Sequence, residues 1–265
     1  MATLQYQRIC THLEKLKLAT IADRLDSISE QIAKEEGSYL DFLEGLLDAE
    51  VSTRSEKNVA LKLRLARFPY HKSLEDFDFS FQRSIDKKLI RQLASVRFIE
   101  NGDNIIFLGP PGVGKTHLAV ALGIEAVKLG QPTYFVTCAD LIQSCKMAET
   151  PTQYAQRMAT FLKPRLLIID EVGYLPLDRA DAHILFELIS KRYEKGAIIL
   201  TSNKSYTEWG ELLADHVLAA AILDRLLHHS NTINIKGESY RLKEKKRAGF
   251  NQPVAPSTPV KQQIT

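Results

Sequence analysis

The chain has 265 residues, 45% of them hydrophobic and 25% charged, the make-up of a globular protein with room for one substantial core and a smaller module rather than of a disordered chain. No apolar run approaches the roughly 18 residues a membrane span requires, and Met1 to Thr20 already carries His12, Glu14, Lys15 and Lys17, leaving no signal-peptide core; a cytoplasmic protein with no membrane partner is expected. The formal charge of +3 is too small to specify a polyanionic partner by itself, and Cys10, Cys138 and Cys145 have neither the number nor the spacing of a zinc site.

Residues 1–68 read as a helical module for DNA or partner binding. Ile9, Leu13, Leu16, Leu18, Ile21, Leu25, Ile28 and Ile32 recur mostly at three- and four-residue steps between charged residues, which predicts an amphipathic helix. A second helix is expected over Tyr39 to Asp48 and a third over Val51 to Phe68. Pro69 breaks the pattern, and Ser73 to Phe81, with Phe77, Phe79 and Phe81 alternating against polar residues, reads as a connector lying against the next domain. From about residue 85 helices alternate with short apolar strands, predicted at Asn104 to Leu108, Thr133 to Thr137, Leu166 to Asp170, Ala197 to Thr201 and Thr232 to Ile235. That alternation predicts an α/β domain over 69–250, a parallel sheet with helices on both faces. Residues 251–265, with three prolines, three glutamines and no aromatics, are expected to be a disordered tail.

The chemistry is concentrated at strand ends. Gly109-Pro110-Pro111-Gly112-Val113-Gly114-Lys115-Thr116 follows the first strand and opens a helix, the spelling and context of a phosphate-binding loop. Its glycines admit phosphate oxygens to backbone N–H groups, Lys115 reaches the β- and γ-phosphates, and the Thr116 hydroxyl ligates Mg2+. His117 belongs to the same nucleotide-binding stretch and reads as a helix residue packing near the sheet rather than a catalytic base. Leu166 to Ile169 end in Asp170-Glu171; Asp170 is placed to hold the metal, and Glu171 to polarise the water attacking the γ-phosphate. Nothing resembles a guanine-reading Asn-Lys-x-Asp motif, so the cofactors expected are ATP and Mg2+.

Two further residues complete the candidate set. Asn203 ends the strand Ile198 to Thr201 and is positioned to orient the water or sense the γ-phosphate, the alternative being a turn or cap residue. Arg225, in Ala221-Ile222-Leu223-Asp224-Arg225-Leu226, is a candidate for neutralising charge on the transferring phosphate from a neighbouring subunit. Its alternative is a surface ion pair with Asp224 or Asp215. Basic residues cluster from Arg54 to Lys72 and from Lys236 to Arg247, where contacts to a phosphate backbone are expected; Lys57, Lys62, Arg64 and Arg67, with Lys146 after the second strand, are the candidate DNA-binding residues.

With these elements in view the chain resembles the AAA+ superfamily, in its DnaC/DnaI-like helicase-loader branch, and within it the IstB-like transposition helper ATPases of bacterial insertion sequences. Leu167 to Pro176, Leu200 to Asn203 followed by Glu208 to Glu211, Ala221 to His229 and Gly237 to Leu242 carry the resemblance, which covers roughly residues 1 to 250. It implies a P-loop sheet of the additional-strand-catalytic-glutamate type, with Gly109 to Thr116 as Walker A, Asp170 and Glu171 as Walker B, Asn203 as sensor 1, and Arg225 as an arginine finger acting in trans. It also implies a homo-oligomer, ring or helical filament, on duplex DNA with little sequence preference, serving a partner transposase. About 30 residues remain after the fifth strand, too few for the helical lid usual in that superfamily; Arg241 is the residue available in place of a sensor 2 arginine. A replicative helicase loader shares the same site, and a non-hydrolysing scaffold with ATP as glue is the reading from another class, against which Glu171 speaks.

Overall fold

The computed structural model describes residues 4–247; the expected tail lies outside them, as do the side chains of Glu244, Lys245, Lys246 and Arg247. The chain divides into two compact units, Met1–Leu65 and a second beginning at Ala66.

The first unit holds α1 (Leu4–Lys15), α2 (Ala19–Lys34) and α3 (Tyr39–Leu65). The single helix expected first is broken at Lys17, whose φ is 58°. The N–H groups of Lys17 and Leu18 turn back to the carbonyls of Glu14 and Leu13, a paired cap that satisfies carbonyls α1 would otherwise leave open. The second and third expected helices are one, because no glycine or proline separates Asp48 from Val51. Within that joint Glu50 is buried and accepts hydrogen bonds from Ile21 N–H at 3.2 Å and Arg54 Nε at 2.6 Å, so α3 fastens the start of α2. Ser38 and Asp41 cap α3 reciprocally, at 2.7 Å and 3.2 Å. Leu40, Leu43, Leu47 and Val51 stay exposed on α3 at three- and four-residue steps, an uncovered apolar stripe.

The second unit runs α4 (Lys87–Leu93), α5 (Arg97–Asn101), β1 (Asn104–Leu108), α6 (Lys115–Lys128), β2 (Thr133–Thr137), α7 (Cys138–Lys146), α8 (Pro151–Leu162), β3 (Leu166–Val172), α9 (Arg179–Arg192), β4 (Ala197–Ser202), α10 (Trp209–Leu212), α11 (His216–Leu227), β5 (Ser230–Asn234) and α12 (Tyr240–Arg247). The strands form one parallel sheet in the order β2-β3-β4-β1-β5, flanked by helices. Every residue of β1 and β4 is buried, as a strand covered on both faces must be. β5 begins two residues before the expected Thr232, and β3 continues past Asp170 to Val172.

Two buried polar side chains square the sheet's amino-terminal end. Asn104 donates to Leu226 O at 3.1 Å and accepts from Ile198 N–H at 3.0 Å, tying β1 to α11 and β4. Arg192, 2% exposed, donates to the carbonyls of Phe161, Pro164 and Ala197 at 2.9, 2.9 and 2.8 Å, locking the end of α9 to the starts of β3 and β4. No helix among the described residues is long and apolar enough to cross a membrane.

Candidate nucleotide site

A cleft of about 270 Å³ opens at the carboxyl ends of β1, β3 and β4, lined by residues 112–117, Glu171 and Thr201 among others. The loop after β1 owes its shape to glycine. Gly112 and Gly114 have φ of 81° and 103°, in the left-handed region side chains avoid. A Cβ on Gly114 would stand 2.5 Å from the Phe77 ring, and one on Gly112 would strike Ser239 Oγ. The loop therefore lies tight between the connector and the start of α12, while the amino terminus of α6 points its free N–H groups into the cleft.

Lys115 opens α6 and is 5% exposed. Its ammonium donates to the carbonyls of Gly109 at 2.7 Å and Pro110 at 2.9 Å, neutral acceptors that an anionic phosphate oxygen outcompetes. Burial pulls its pKa down, opposed by the charge of Asp170. Thr116 Oγ1 lies 3.0 Å from both carboxylate oxygens of Asp170. Asp170 is 4% exposed; burial raises its pKa, while hydrogen bonds from Thr201 and Thr116 work the other way. A buried carboxylate and a hydroxyl in contact are hard oxygen donors, the set Mg2+ takes alongside phosphate oxygens, so Thr116 and Asp170 fit that ion.

Glu171 is exposed at the cleft, with φ of 62°. Beside it β3 carries an extra residue: Ile169 pairs with Leu200 and Val172 with Ser202, so Asp170 and Glu171 together oppose Thr201. Such a bulge re-aims a side chain. His117 lines the cleft, yet its Nε2 is 2.8 Å from Ser73 O and its ring packs edge-on to Phe77 at 5.2 Å. Burial lowers its pKa, which suits a packing residue of α6.

Two predicted residues make no hydrogen bond to the group of Thr116, Asp170 and Glu171. Asn203 follows β4, but its Oδ1 is buried beside Gly173 with no hydrogen-bond partner. Arg225 lines a small cavity with Asn104, at the amino-terminal end of β1; its Nη1 donates to Ala221 O at 2.9 Å and its guanidinium sits 4.9 Å from the Phe186 ring. Neither Asp224 nor Asp215 pairs with it: the partner of Asp215 is Arg179 at 3.9 Å. Among the candidate DNA contacts, Lys57 and Arg64 are exposed on α3 and Lys62 is half-buried. Arg67 sits 5.6 Å from the Tyr134 ring. Lys146 is bound to Asp178 at 3.1 Å and to Asp181 at 2.5 Å, and these carboxylates raise its pKa.

The cleft also holds residues that motif reading passed over. Tyr70, Asp78 and Gln82 of the connector line it, as do Tyr174 and Thr201. Phenylalanine alternation signalled that the connector packs, without saying that it packs against the phosphate loop. Arg241 of α12 reaches the cleft too; α12 is fastened there by Tyr240 N–H donating to Gly112 O at 2.9 Å and by Lys243 with Asp78 at 3.3 Å.

The family model described as IstB-like ATP binding protein matches residues 11–248. A protein of insertion sequence IS21 from Pseudomonas aeruginosa, named as ATP-binding, is 49% identical over 237 residues, covering 89% of each chain. Its counterpart in insertion sequence IS5376 of Geobacillus stearothermophilus is 46% identical, over 91% of this chain and 96% of its own. In fold alone, the chain resembles DnaI (TM-score 0.53, 22% identity, 63% of this chain and 92% of that one) and AMPPCP-bound DnaA from Aquifex aeolicus (TM-score 0.52, 22% identity, 72% and 59%). A phosphate loop and paired acids on a β2-β3-β4-β1-β5 sheet, a family match across most of the length and relatives near half identity together establish that the chain belongs to the IstB-like ATP-binding protein family of IS21-type insertion sequences.

Proposed function

We propose that this chain is a cytoplasmic AAA+ ATP hydrolase that assembles on duplex DNA, remodels it, and assists a partner transposase in insertion-sequence transposition. The observation that carries the reading is the cluster at one end of the sheet: the Lys115 loop, Thr116 in contact with Asp170, and Glu171 turned into the same cleft. Backbone N–H groups of the loop and α6 cradle the phosphates, and Lys115 neutralises the β- and γ-oxygens. Thr116 and Asp170 hold Mg2+, which when bound supplies charge neutralisation on the transferring phosphoryl group. Glu171, a carboxylate beside the cleft with nothing required of it for binding, polarises the attacking water.

Arg225 acts on the site of a neighbouring subunit, so turnover depends on assembly. Exposed Lys57 and Arg64 on α3 supply phosphate-backbone contacts, and the apolar stripe of the same helix offers a partner protein a surface. The test is ATP hydrolysis by the purified chain with and without duplex DNA, with light scattering to follow assembly and Lys115→Ala as control. DNA-stimulated turnover coupled to a large particle, lost in the control, is the expected result. A monomer indifferent to DNA overturns the reading.

A further inference from the structure

Thr201 is 1% exposed and lines the cleft at the carboxyl end of β4. A buried hydroxyl in a strand that is otherwise apolar through Leu200 has to be used, and this one is used twice. Its single O–H donates to Asp170 Oδ1, and its oxygen accepts the backbone N–H of Glu171 at 3.0 Å. It does so at the bulge, where one residue of β4 faces two of β3. Glu171 is held there at a φ of 62°, a conformation that a residue with a side chain leaves unless its surroundings over-determine it. The bond to Thr201 is the only hydrogen bond from a side chain to that N–H among the described residues.

Resting on the ATP hydrolase reading, we infer that Thr201 is a positioning residue of this site: its hydroxyl fixes the bulge that aims Glu171 at the attacking water and orients the Asp170 carboxylate. The double use has a chemical reason: a hydroxyl both donates and accepts from one atom, so Thr201, facing both acids across the strand pair, satisfies an acceptor carboxylate and a donor N–H together.

The experiment compares full-length wild type with Thr201→Val, Thr201→Ala and Thr201→Ser. It reads kcat and KM for ATP in the presence of duplex DNA, binding of a fluorescent ATP analogue in EDTA, and thermal melting. Loss of aim at Glu171 predicts a fall in kcat of about a hundredfold in the valine and alanine variants, with analogue binding in EDTA within about twofold. Serine, which keeps the hydroxyl, restores kcat to within about threefold of wild type. The inference is overturned by a valine variant with wild-type kcat, by a serine variant as impaired as valine, or by analogue binding that falls in step with kcat. If valine lowers the melting point, the alanine and serine pair decides. Wild type that binds nucleotide and hydrolyses none overturns the parent reading, and this inference with it, whereas active wild type with indifferent Thr201 variants overturns this inference alone.

Discussion

Replacing Glu171 by Gln isolates the chemistry of one group with little structural disturbance. The side chain is exposed, takes part in no ion pair among the described residues, and keeps its volume on amidation; Gln tolerates the φ of 62° no worse than Glu. Stability should therefore shift by no more than about 0.5 kcal/mol, because the exposed side chain keeps its volume and the backbone at the bulge is the same for either residue. Phosphate binding should persist, since Lys115, Thr116 and Asp170 are untouched. What disappears is the carboxylate that accepts a proton from the attacking water, a contribution of about 10² to 10⁴ in rate, or about 3 to 5 kcal/mol in the barrier. Phosphate release at saturating ATP should fall by that factor while nucleotide affinity holds, and an ATP-loaded assembly on labelled DNA should outlive the wild-type one after dilution into unlabelled duplex. Unchanged turnover and unchanged lifetime would refute the assignment and leave ATP as a ligand that binds without being consumed.

Three other outcomes follow from the same geometry. Lys115→Ala and Arg225→Ala should each be inactive alone but recover activity when mixed, reaching about a quarter of the wild-type rate by random pairing if the finger acts on a neighbour's site; no recovery in a steady-state assay of the mixture refutes action in trans. Removing Lys57 or Arg64 should each reduce the slope of log affinity against log salt by about one, measured by fluorescence anisotropy on several duplex sequences. Lys146→Ala should leave the slope unchanged, because that ammonium is already bound by Asp178 and Asp181. In the helical module, burial pushes the Glu50 carboxyl up, but the Arg54 guanidinium and the Ile21 N–H outweigh it and hold the pKa below its ordinary 4.5. A depressed folded-state pKa stabilises above the unfolded value and loses that contribution as pH falls through the folded one. Glu50→Gln should therefore loosen α2 and α3 at neutral pH, and the gap from wild type should close below about pH 4.5, as read by hydrogen exchange of those helices.

The sheet and the phosphate loop were legible because their signals are local. An apolar strand running into three glycines and a lysine states both an element and its chemistry within a dozen residues, and Asp170-Glu171 repeats that arrangement one strand away. The helical module was less legible at its joints. Lys17 turns the chain with no glycine to announce it, and Glu50, a charged residue that pattern reading places on the outside, is buried by partners distant in sequence. Thr201 was passed over for a related reason. Within its own strand it is one more β-branched residue, indistinguishable from the valines and isoleucines that suit a parallel sheet. Only the two-against-one register with β3 sets its hydroxyl between a carboxylate and an N–H, and register between strands thirty residues apart is not written in either strand. Asn203 carried the more conspicuous polar signal, which is why motif spacing selects it.

The placement of Arg225 constrains how such a site can be regulated. Parallel strands give the sheet two unlike ends. The carboxyl ends of β1, β3 and β4 gather Lys115, Thr116, Asp170, Glu171 and Thr201 in one cleft, while Arg225 lies with Asn104 at the amino-terminal end of β1. A guanidinium there, anchored to Ala221 O and lying against Phe186, does not reach the cleft of its own chain without unpacking α11, whose Ile222 and Leu226 are fully buried. If Arg225 serves hydrolysis, it serves a cleft presented by another copy, and a lone chain retains binding while lacking that charge. Arg241 is, among the described residues, the one arginine lining the cleft of its own chain, and it rides on α12, which the Tyr240 to Gly112 hydrogen bond ties to the phosphate loop. On the proposed reading the two arginines divide the work by topology: Arg241 would report on nucleotide within a chain and Arg225 on the presence of a neighbour, so that full turnover would require both conditions at once.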